Sequence, residues 1–338
     1  MSFDFDAAVS TPHRMQPGLH RLPPGARQLT PSVAPQRGRA RHLREKLAVL
    51  GAFPGQALLR SPGFDPWPAL DALAAHAAAE HPSALRVEGR HWRAPWLGWA
   101  VDSAAQPQNI GTGWPEIGPL LARLPADWRH AALLSLAFAE DFAILDGAAG
   151  SLPWLAVALP SMWAPEHKVG RSFAEAHAPV ADNRRVLDAA PHLLCLLTGN
   201  SSARWERFVW TLSAHPRLHG HPQRVDPARW PAGLDDDTLA AQTWWRTERQ
   251  TFIPVPVGAV LASTTPRAAQ AVFTILVTVT PLTQAFSQPE HAASVHDALA
   301  SMSDAVLAYR GLNAVRPALL RWLARQAHQP AASSAAAP

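Results

Sequence analysis

The chain has 338 residues, of which 48% are hydrophobic and 17% are charged, so it can bury a sizeable core and is not a disordered protein. Its single cysteine, Cys195, excludes internal disulfides and any zinc or iron–sulfur site built from several thiols, and it fits a reducing compartment. The net charge of +4 comes from residues 1–50, where eight Arg or Lys face three Asp or Glu; the remainder carries −1, which does not indicate nucleic-acid binding.

The two ends of the chain lack the periodicity of folded elements. Residues 1–45 are rich in Pro, Gly and Arg and are predicted to form a disordered basic arm, and residues 328–338 a disordered tail. Between them we expect a single domain, residues 46–327. The sequence shows neither a secretory signal nor an apolar run of the roughly 20 residues that a membrane helix needs. We therefore expect a cytoplasmic protein without membrane contact.

Hydrophobic periodicity predicts both helices and strands. Helices are predicted at residues 65–81, 126–145, 168–177, 184–197, 290–310 and 317–326. Strands are predicted at residues 154–159, 205–212, 243–252 and 270–280. Strands grouped in the middle of the chain, with helices before and after them, favour an α+β fold with a largely antiparallel sheet over a βαβ winding.

Motifs that bind nucleotides are missing from the sequence. The segment GTGWPEIG at 111–118 resembles a dinucleotide loop, but its glycine spacing is wrong, Pro115 interrupts it and no predicted strand leads into it. The sequence contains no Walker A motif either. The chain is therefore not predicted to bind its own nicotinamide cofactor or ATP.

Histidines are abundant, and one group of them has a spacing compatible with metal binding. His215, His219 and His221 form an HxxxHxH pattern that offers two or three imidazoles to a divalent metal. Prolines and a glycine make this segment a loop without fixed geometry, and it contains no carboxylate. A metal site and a set of histidines without any ligand role are both open interpretations.

His177 lies in a more informative segment, WAPEHKVGRSFAEAHAPV at 163–180. Lys168 and Arg171 precede it within a predicted helix, and Pro179 ends that helix. Histidine is a common ligand of haem iron, and basic side chains are the natural partners of haem propionates. A capping or core role remains the alternative for a histidine judged on composition alone.

The segment WWRTERQT at 244–251 alternates along a predicted strand. Arg246, Glu248 and Gln250 would lie on one face, and the residues between them on the other. Burying Arg and Glu on one face is costly unless the charges are paired or used. An exposed Arg/Glu ladder on a solvated sheet face is the alternative.

Several segments together identify a family resemblance. They are LAFAEDFAIL at 136–145, LPSMWAPEHKVGRSFAEAHAPV at 159–180, WERFVWTL at 205–212, WWRTERQTF at 244–252 with VFTI and PL downstream, and VHDALASMSDAVLAYRGL at 295–312. This set resembles the α-subunit of the haem-dependent oxidative N-demethylases, in register over about residues 96–326. The most specific pieces are PSxWxPExKxGRxFxxxHAPV and RxERQT.

The resemblance implies a PAS-like fold that binds haem b, with His177 as the axial ligand. It also implies a partner subunit, carrying flavin and an iron–sulfur cluster, that passes electrons from NADPH to the haem. There O2 is activated, and a methyl group of a small secondary amine leaves as formaldehyde. The missing nucleotide motifs and the lone cysteine agree with an arrangement in which one subunit binds the haem and another supplies the electrons.

Within this resemblance, roles for individual residues are argued from their chemistry. Glu248 would hold the substrate ammonium and accept its proton. Arg207 and Arg246 would balance that carboxylate or bind a propionate, for which Lys168 and Arg171 are the other candidates. Cys195, within LLCLL, is predicted to be a buried small hydrophobe. Four tryptophans of the matched segments are expected to wall the pocket: Trp163, Trp210, Trp244 and Trp245.

The sequence departs from the family pattern at three places near the expected pocket. Val209 stands where the family usually has Asn, Leu276 where it frequently has Arg, and FIPVP at 252–256 follows ERQT in place of the family's Arg-Leu-Pro ending. The leading hypothesis is an oxygen-activating haem monooxygenase acting on a small amine. The alternatives are a non-catalytic PAS-like haem sensor and a metal protein using the His215–His221 loop.

Overall fold

The computed structural model describes residues 3–33, 40–199, 203–226, 229–256 and 269–328. The helices are α1 Phe5–Ala8, α2 Arg41–Ala52, α3 Pro54–Ala57, α4 Trp67–Glu80, α5 Ile117–Arg123, α6 Ala126–Ala137, α7 Phe173–His177, α8 Arg184–Thr198, α9 Asp236–Ala241, α10 Pro289–Ala300, α11 Asp304–Tyr309 and α12 Arg316–Ala327. The strands are β1 His20–Arg21, β2 Leu58–Arg60, β3 Arg86–Glu88, β4 His91–Ala94, β5 Trp99–Val101, β6 Pro107–Asn109, β7 Asp141–Asp146, β8 Ser151–Ala156, β9 Trp205–Ser213, β10 Trp244–Val255 and β11 Gln270–Pro281. Short 3-10 turns occupy Pro165–His167 and Leu282–Gln284.

Two antiparallel sheets organise these elements. The larger has seven strands in the order β1-β9-β10-β11-β7-β8-β2, and the smaller has four, β3-β4-β5-β6. Strands β10 and β11 pair along their whole length at the centre of the larger sheet. The predicted α+β class with a largely antiparallel sheet is confirmed. Among the described residues, no helix has the length and apolarity needed to cross a membrane.

The two faces of the larger sheet are covered by different helices. On one, the α8 face, Leu197 of α8 packs with Phe252 of β10 and Leu145 of β7. On the other, the α4 face, Leu73 of α4 belongs to the main core together with Ile253 of β10. Helices α10 to α12 form a further core against the tryptophans of β9 and β10 on the α4 face. The α8 face matters below, because it carries Arg246, Glu248 and Gln250 of β10.

Residues 3–33 lie against the domain, which differs from the expected solvated arm. The Phe5 ring stacks on His291, with ring centroids 4.0 Å apart. The side-chain amide of buried Gln28 donates to the Thr251 hydroxyl and to the Phe252 carbonyl, each at 3.0 Å. Long-range contacts of this kind leave no periodic pattern in the sequence. The predicted tail beyond residue 328 lies outside the described residues.

The helix predicted at 126–145 is wrong in its second half. Helix α6 ends at Ala137, and residues 141–146 form strand β7. The fully buried ammonium of Lys46 donates to the carbonyls of Ser135 and Phe138, each at 3.1 Å, and forms an ion pair with Asp141 at 3.1 Å. The Ala139 amide donates to the Thr30 carbonyl instead of continuing the helix. These tertiary bonds replace the next helical turn.

Two other predicted helices are interrupted. Of residues 168–177, only Phe173–His177 is helical, because the chain turns at Gly170 with a φ of +74°. The helix predicted at 290–310 divides into α10 and α11, and the Ser303 hydroxyl caps the second at the Val306 amide. In α8, Val186, Ala190, Leu193 and Leu197 form the buried stripe. Cys195 lies off this stripe and is exposed, so the prediction of a buried thiol is wrong.

Candidate functional site

Strand β10 directs Arg246, Glu248 and Gln250 to the α8 face and Arg249 to the α4 face, as the alternation predicts. The hydroxyls of Thr247 and Thr251 bond across to threonines of β11 on the α4 face. Arg246, Glu248 and Gln250 therefore point to the α8 face. Arg246 is 1% exposed and Glu248 is 8% exposed. This burial excludes the alternative of a solvated Arg/Glu ladder.

Glu248 is a buried carboxylate with one open oxygen. Its Oε2 accepts a hydrogen bond of 2.5 Å from Nε2 of Gln250, two residues along the strand. Val209 of β9 and Val277 of β11 lie directly opposite it on the neighbouring strands. Across the described ranges, no Lys, Arg or His forms an ion pair with Glu248. Arg207 and Arg246 lie within electrostatic range of Glu248, but neither contacts its carboxylate. Oε1 is therefore a candidate contact for a cationic ligand.

Arg207 lies on the same face, opposite Gln250 in the β9–β10 register. Its Nε is buried and finds no hydrogen-bond partner in the described part of the chain. Burial lowers the pKa of Arg207, and the Glu248 carboxylate partly opposes that shift. A guanidinium with an unused buried N–H is suited to binding an anionic group that enters this pocket.

His177, the last residue of α7, provides a neutral imidazole on the same side. Ser172 and Glu175 form a capping box that starts this short helix. Nδ1 of His177 lies 2.8 Å from the Phe173 carbonyl, so Nδ1 carries the proton and Nε2 keeps the lone pair. Burial lowers the pKa of His177 to about 4; the Phe173 bond opposes this shift, and the charges of Arg207 and Lys168 add to it. Arg207 thus lies near both His177 and Glu248.

The two basic residues that precede His177 have different environments. Lys168 is half-buried, its ammonium donates to the Ala176 carbonyl, and burial lowers its pKa. Arg171 is exposed and lies 3.8 Å from the Glu175 carboxylate. The structure therefore places Lys168 close to His177 and leaves Arg171 at the surface.

Arg246, the third predicted catalytic residue, is occupied by structural contacts. Its Nε donates to the Ser161 hydroxyl at 2.8 Å, and one terminal nitrogen donates to the Arg217 carbonyl at 2.8 Å. The other terminal nitrogen donates to the carbonyls of Pro160, at 3.2 Å, and Leu218. Four of its five N–H groups are thus used to join the loops at 160–161 and 217–218, which leaves little of Arg246 for a ligand.

The histidines of the HxxxHxH loop do not converge. Nδ1 of His219 bonds the Ala158 carbonyl at 2.8 Å, whereas Nε2 of His221 bonds the Glu166 carboxylate at 3.0 Å. Neither nitrogen of His215 has a partner in the described structure. No group of three or more His, Cys, Asp or Glu residues suited to a metal ion occurs in the described ranges. The loop therefore offers no observation in favour of the metal hypothesis.

The tryptophans expected to wall the pocket, and the positions at which the sequence departs from the family pattern, lie on both faces of the larger sheet. Trp210 and Trp245 stack, with centroids 4.9 Å apart, in the α4-face core, so the expectation that they wall the pocket is wrong. Trp163 packs on the α8 side with Phe273. Leu276 pairs with Arg249, on the face away from Glu248. Of these departures, Val209 is the one placed directly opposite Glu248.

Gln250 is the site residue to which the sequence assigned no role. Its position two residues after Glu248 in a predicted strand was the available signal, because alternation puts both side chains on one face. The hydrogen bond between them became visible only in the structure.

The sequence also matches the model of a known protein family. The model of a family described as haem-dependent oxidative N-demethylase, alpha subunit-like, matches residues 123–320. The matched range contains His177, Lys168, Arg207, Glu248 and Gln250.

Proposed function

This chain belongs to the family of haem-dependent oxidative N-demethylase alpha subunit-like proteins, and from that premise we propose that it removes a methyl group from a small secondary amine as formaldehyde. The family name indicates haem dependence, and an alpha subunit implies a partner subunit. We further propose haem b as the cofactor, a PAS-like identity for the sheet and its helices, and an oxygen-activating, monooxygenase-type reaction. The partner would carry flavin and an iron–sulfur cluster, and both would act in the cytoplasm.

The residues of the α8 face fit a haem. Nε2 of His177 would bind the iron, because the Phe173 carbonyl holds the proton on Nδ1 and the imidazole is neutral at neutral pH. Arg207, with its unpartnered buried Nε, and Lys168 would bind the propionates. Arg171 and Arg246 are less suited to that task, since one is exposed and the other is bonded to backbone carbonyls.

Haem bound at His177 would supply O2 activation at its iron with electrons from the partner. The protein's part is to prepare the amine. A secondary amine is protonated at neutral pH, and an ammonium has no lone pair from which an electron can be removed easily. Oε1 of Glu248 would bind the ammonium as its counter-charge and accept its proton, which leaves the nitrogen neutral. The observation that carries the proposal is a buried carboxylate without an ion pair, together with Arg207, which lies within electrostatic range of both Glu248 and the neutral His177.

The first experiment tests the cofactor. The purified chain should show a Soret band after loading with haem, and His177→Ala should lose it. His192→Ala is the matched control, because His192 is exposed on the neighbouring helix α8 and should leave the band unchanged. A wild-type protein that stays colourless after haem is added would contradict haem binding.

The second experiment tests the reaction. The haem-loaded protein, reduced chemically under O2 with dimethylamine, should release formaldehyde above the level of free haem. Glu248→Gln should abolish formaldehyde release and keep the Soret band, whereas Glu290→Gln, an exposed control, should keep both. A Soret band that depends on His177, without formaldehyde from any of a panel of amines, would favour the haem-sensor function instead.

A further inference from the structure

The surroundings of Glu248 contain two groups that compete for its carboxylate. Gln250 already donates to Oε2 at 2.5 Å. Arg207 lies directly opposite Gln250 on β9, and its buried Nε lacks a partner within the described residues. Arg246, the other nearby cation, is held by the loops at 160–161 and 217–218. In the described structure, Gln250 is the only residue that donates a hydrogen bond to the Glu248 side chain.

We propose that Gln250 is a positioning residue that holds Oε2 of Glu248 away from Arg207, so that Oε1 stays available to an alkylammonium with at least one N–H. This inference rests on the proposed function, in which Glu248 binds the substrate ammonium.

The physical argument is one of preorganisation. An ion pair between Glu248 and Arg207 would satisfy both buried charges and remove the counter-charge that attracts a cationic substrate. A neutral amide donor holds one carboxylate oxygen without neutralising the charge. Val209 and Val277, directly opposite Glu248 on the two neighbouring strands, offer no competing side-chain donor. The carboxylate is therefore held in one orientation with its charge intact, which reduces the cost of ordering it when an ammonium binds.

The arrangement also defines the class of ligand. One open carboxylate oxygen accepts a hydrogen bond from a primary, secondary or tertiary ammonium, all of which carry an N–H. A quaternary ammonium has the same charge but no N–H, so it forms only the charge contact. Dimethylammonium is therefore expected to bind more tightly than tetramethylammonium.

The test is calorimetric titration of the haem-loaded protein with each of these two cations. Gln250→Met, which keeps the side-chain length and removes the donor, should weaken dimethylammonium binding about tenfold, the effect of losing one good hydrogen bond. Gln250→His, whose ring N–H has a similar reach, should restore most of the affinity. Gln270→Met makes the same chemical change on β11, on the other face of the sheet, and should bind as the wild type does.

Infrared spectroscopy supplies a readout that does not depend on turnover. The carboxylate band that Glu248→Gln removes is the Glu248 band. It should shift in Gln250→Met, because the carboxylate loses its hydrogen bond from Gln250, and stay in place in Gln270→Met. If Gln250→Met does not fold, Gln250→Leu, which also lacks a donor, provides the same comparison.

The outcomes separate this inference from the proposed function. If the wild type binds neither cation, the role of Glu248 in the proposed function is wrong. If the wild type binds dimethylammonium and Gln250→Met binds it equally well with an unshifted band, Gln250 is not a positioning residue and the role of Glu248 stands. Equal affinities for the two cations would overturn the N–H requirement.

Discussion

Replacing Arg246 is the sharpest test of whether this residue has a structural or a catalytic role. We predict that the replacement lowers the stability of the fold and leaves the affinity for the amine unchanged. In Arg246→Met, the carbonyls of Arg217 and Leu218 lose the donor that the guanidinium provides. The Pro160 carbonyl keeps a second donor, the Gly220 amide at 2.8 Å. The perturbation therefore leaves two backbone acceptors unsatisfied between the two loops that Arg246 joins.

The expected loss follows from these contacts. An unsatisfied buried acceptor costs about 1–3 kcal/mol, and methionine regains part of this by apolar packing, so Arg246→Met should lower the free energy of unfolding by about 3 kcal/mol. Arg246→Lys keeps a donor for one of the carbonyls and should lose about half as much. Urea unfolding followed by tryptophan fluorescence measures both, as a lower midpoint with an unchanged slope.

A second variant approaches the same junction from the other side. A Cβ added at Gly220 would lie 2.9 Å from the Pro160 carbonyl oxygen and 3.2 Å from the Arg246 guanidinium. Gly220→Ala should therefore also destabilise the protein. The reasoning is refuted if Arg246→Met unfolds at the wild-type midpoint while its dimethylammonium affinity falls, because Arg246 would then act on the ligand.

Three further predictions concern the core. Lys46→Met should lower the free energy of unfolding by about 3–5 kcal/mol, because it leaves Asp141 as an uncompensated buried charge; a midpoint equal to the wild type's would contradict this. Burial raises the pKa of Glu140 from 4.5 to about 7, so the folded state retains a proton that the unfolded state releases. Stability should therefore fall by up to about 3 kcal/mol as the pH rises from 4.5 to 7, and unfolding at several pH values should show this slope in the wild type and not in Glu140→Gln. Phe5→Ala removes the ring stacked on His291 and should cost about 2 kcal/mol, whereas an unfolding midpoint unchanged from the wild type would show that the Phe5 ring contributes nothing to stability.

The strand bearing the candidate site was predictable because its pattern is local. The strand pattern at residues 246–251 placed Glu248 and Gln250 on one face from the sequence, and the register with β9 and β11 agrees. The partners of those side chains were not predictable. Arg246 bonds loop carbonyls and does not pair with Glu248, and this depends on how loops 28 to 86 residues away in sequence fold over the sheet.

The errors in the predicted elements have the same origin. Periodicity through residues 126–145 is compatible with one helix, yet Lys46, about 90 residues earlier, takes the carbonyls that a continued helix would use. Residues 3–33 have the composition of a disordered segment, but Gln28 bonds a residue 223 positions away. The strands of the smaller sheet, of three or four residues each, are too short for alternation to identify them.

The environments of Lys46 and Lys168 allow reagents that act on lysine side chains to report on the unfolding of this protein. They are the only two lysines among 30 basic Lys and Arg residues. The first is enclosed at the junction of α2 and β7, and the second is half-buried, with its ammonium on a carbonyl of α7. A lysine-specific protease or an acylating reagent should therefore act slowly at both side chains in the folded protein. Cleavage at Lys168 alone would report local opening beside His177, whereas cleavage at Lys46 would report loss of the core. The fragments seen on a single gel would therefore distinguish local from global unfolding.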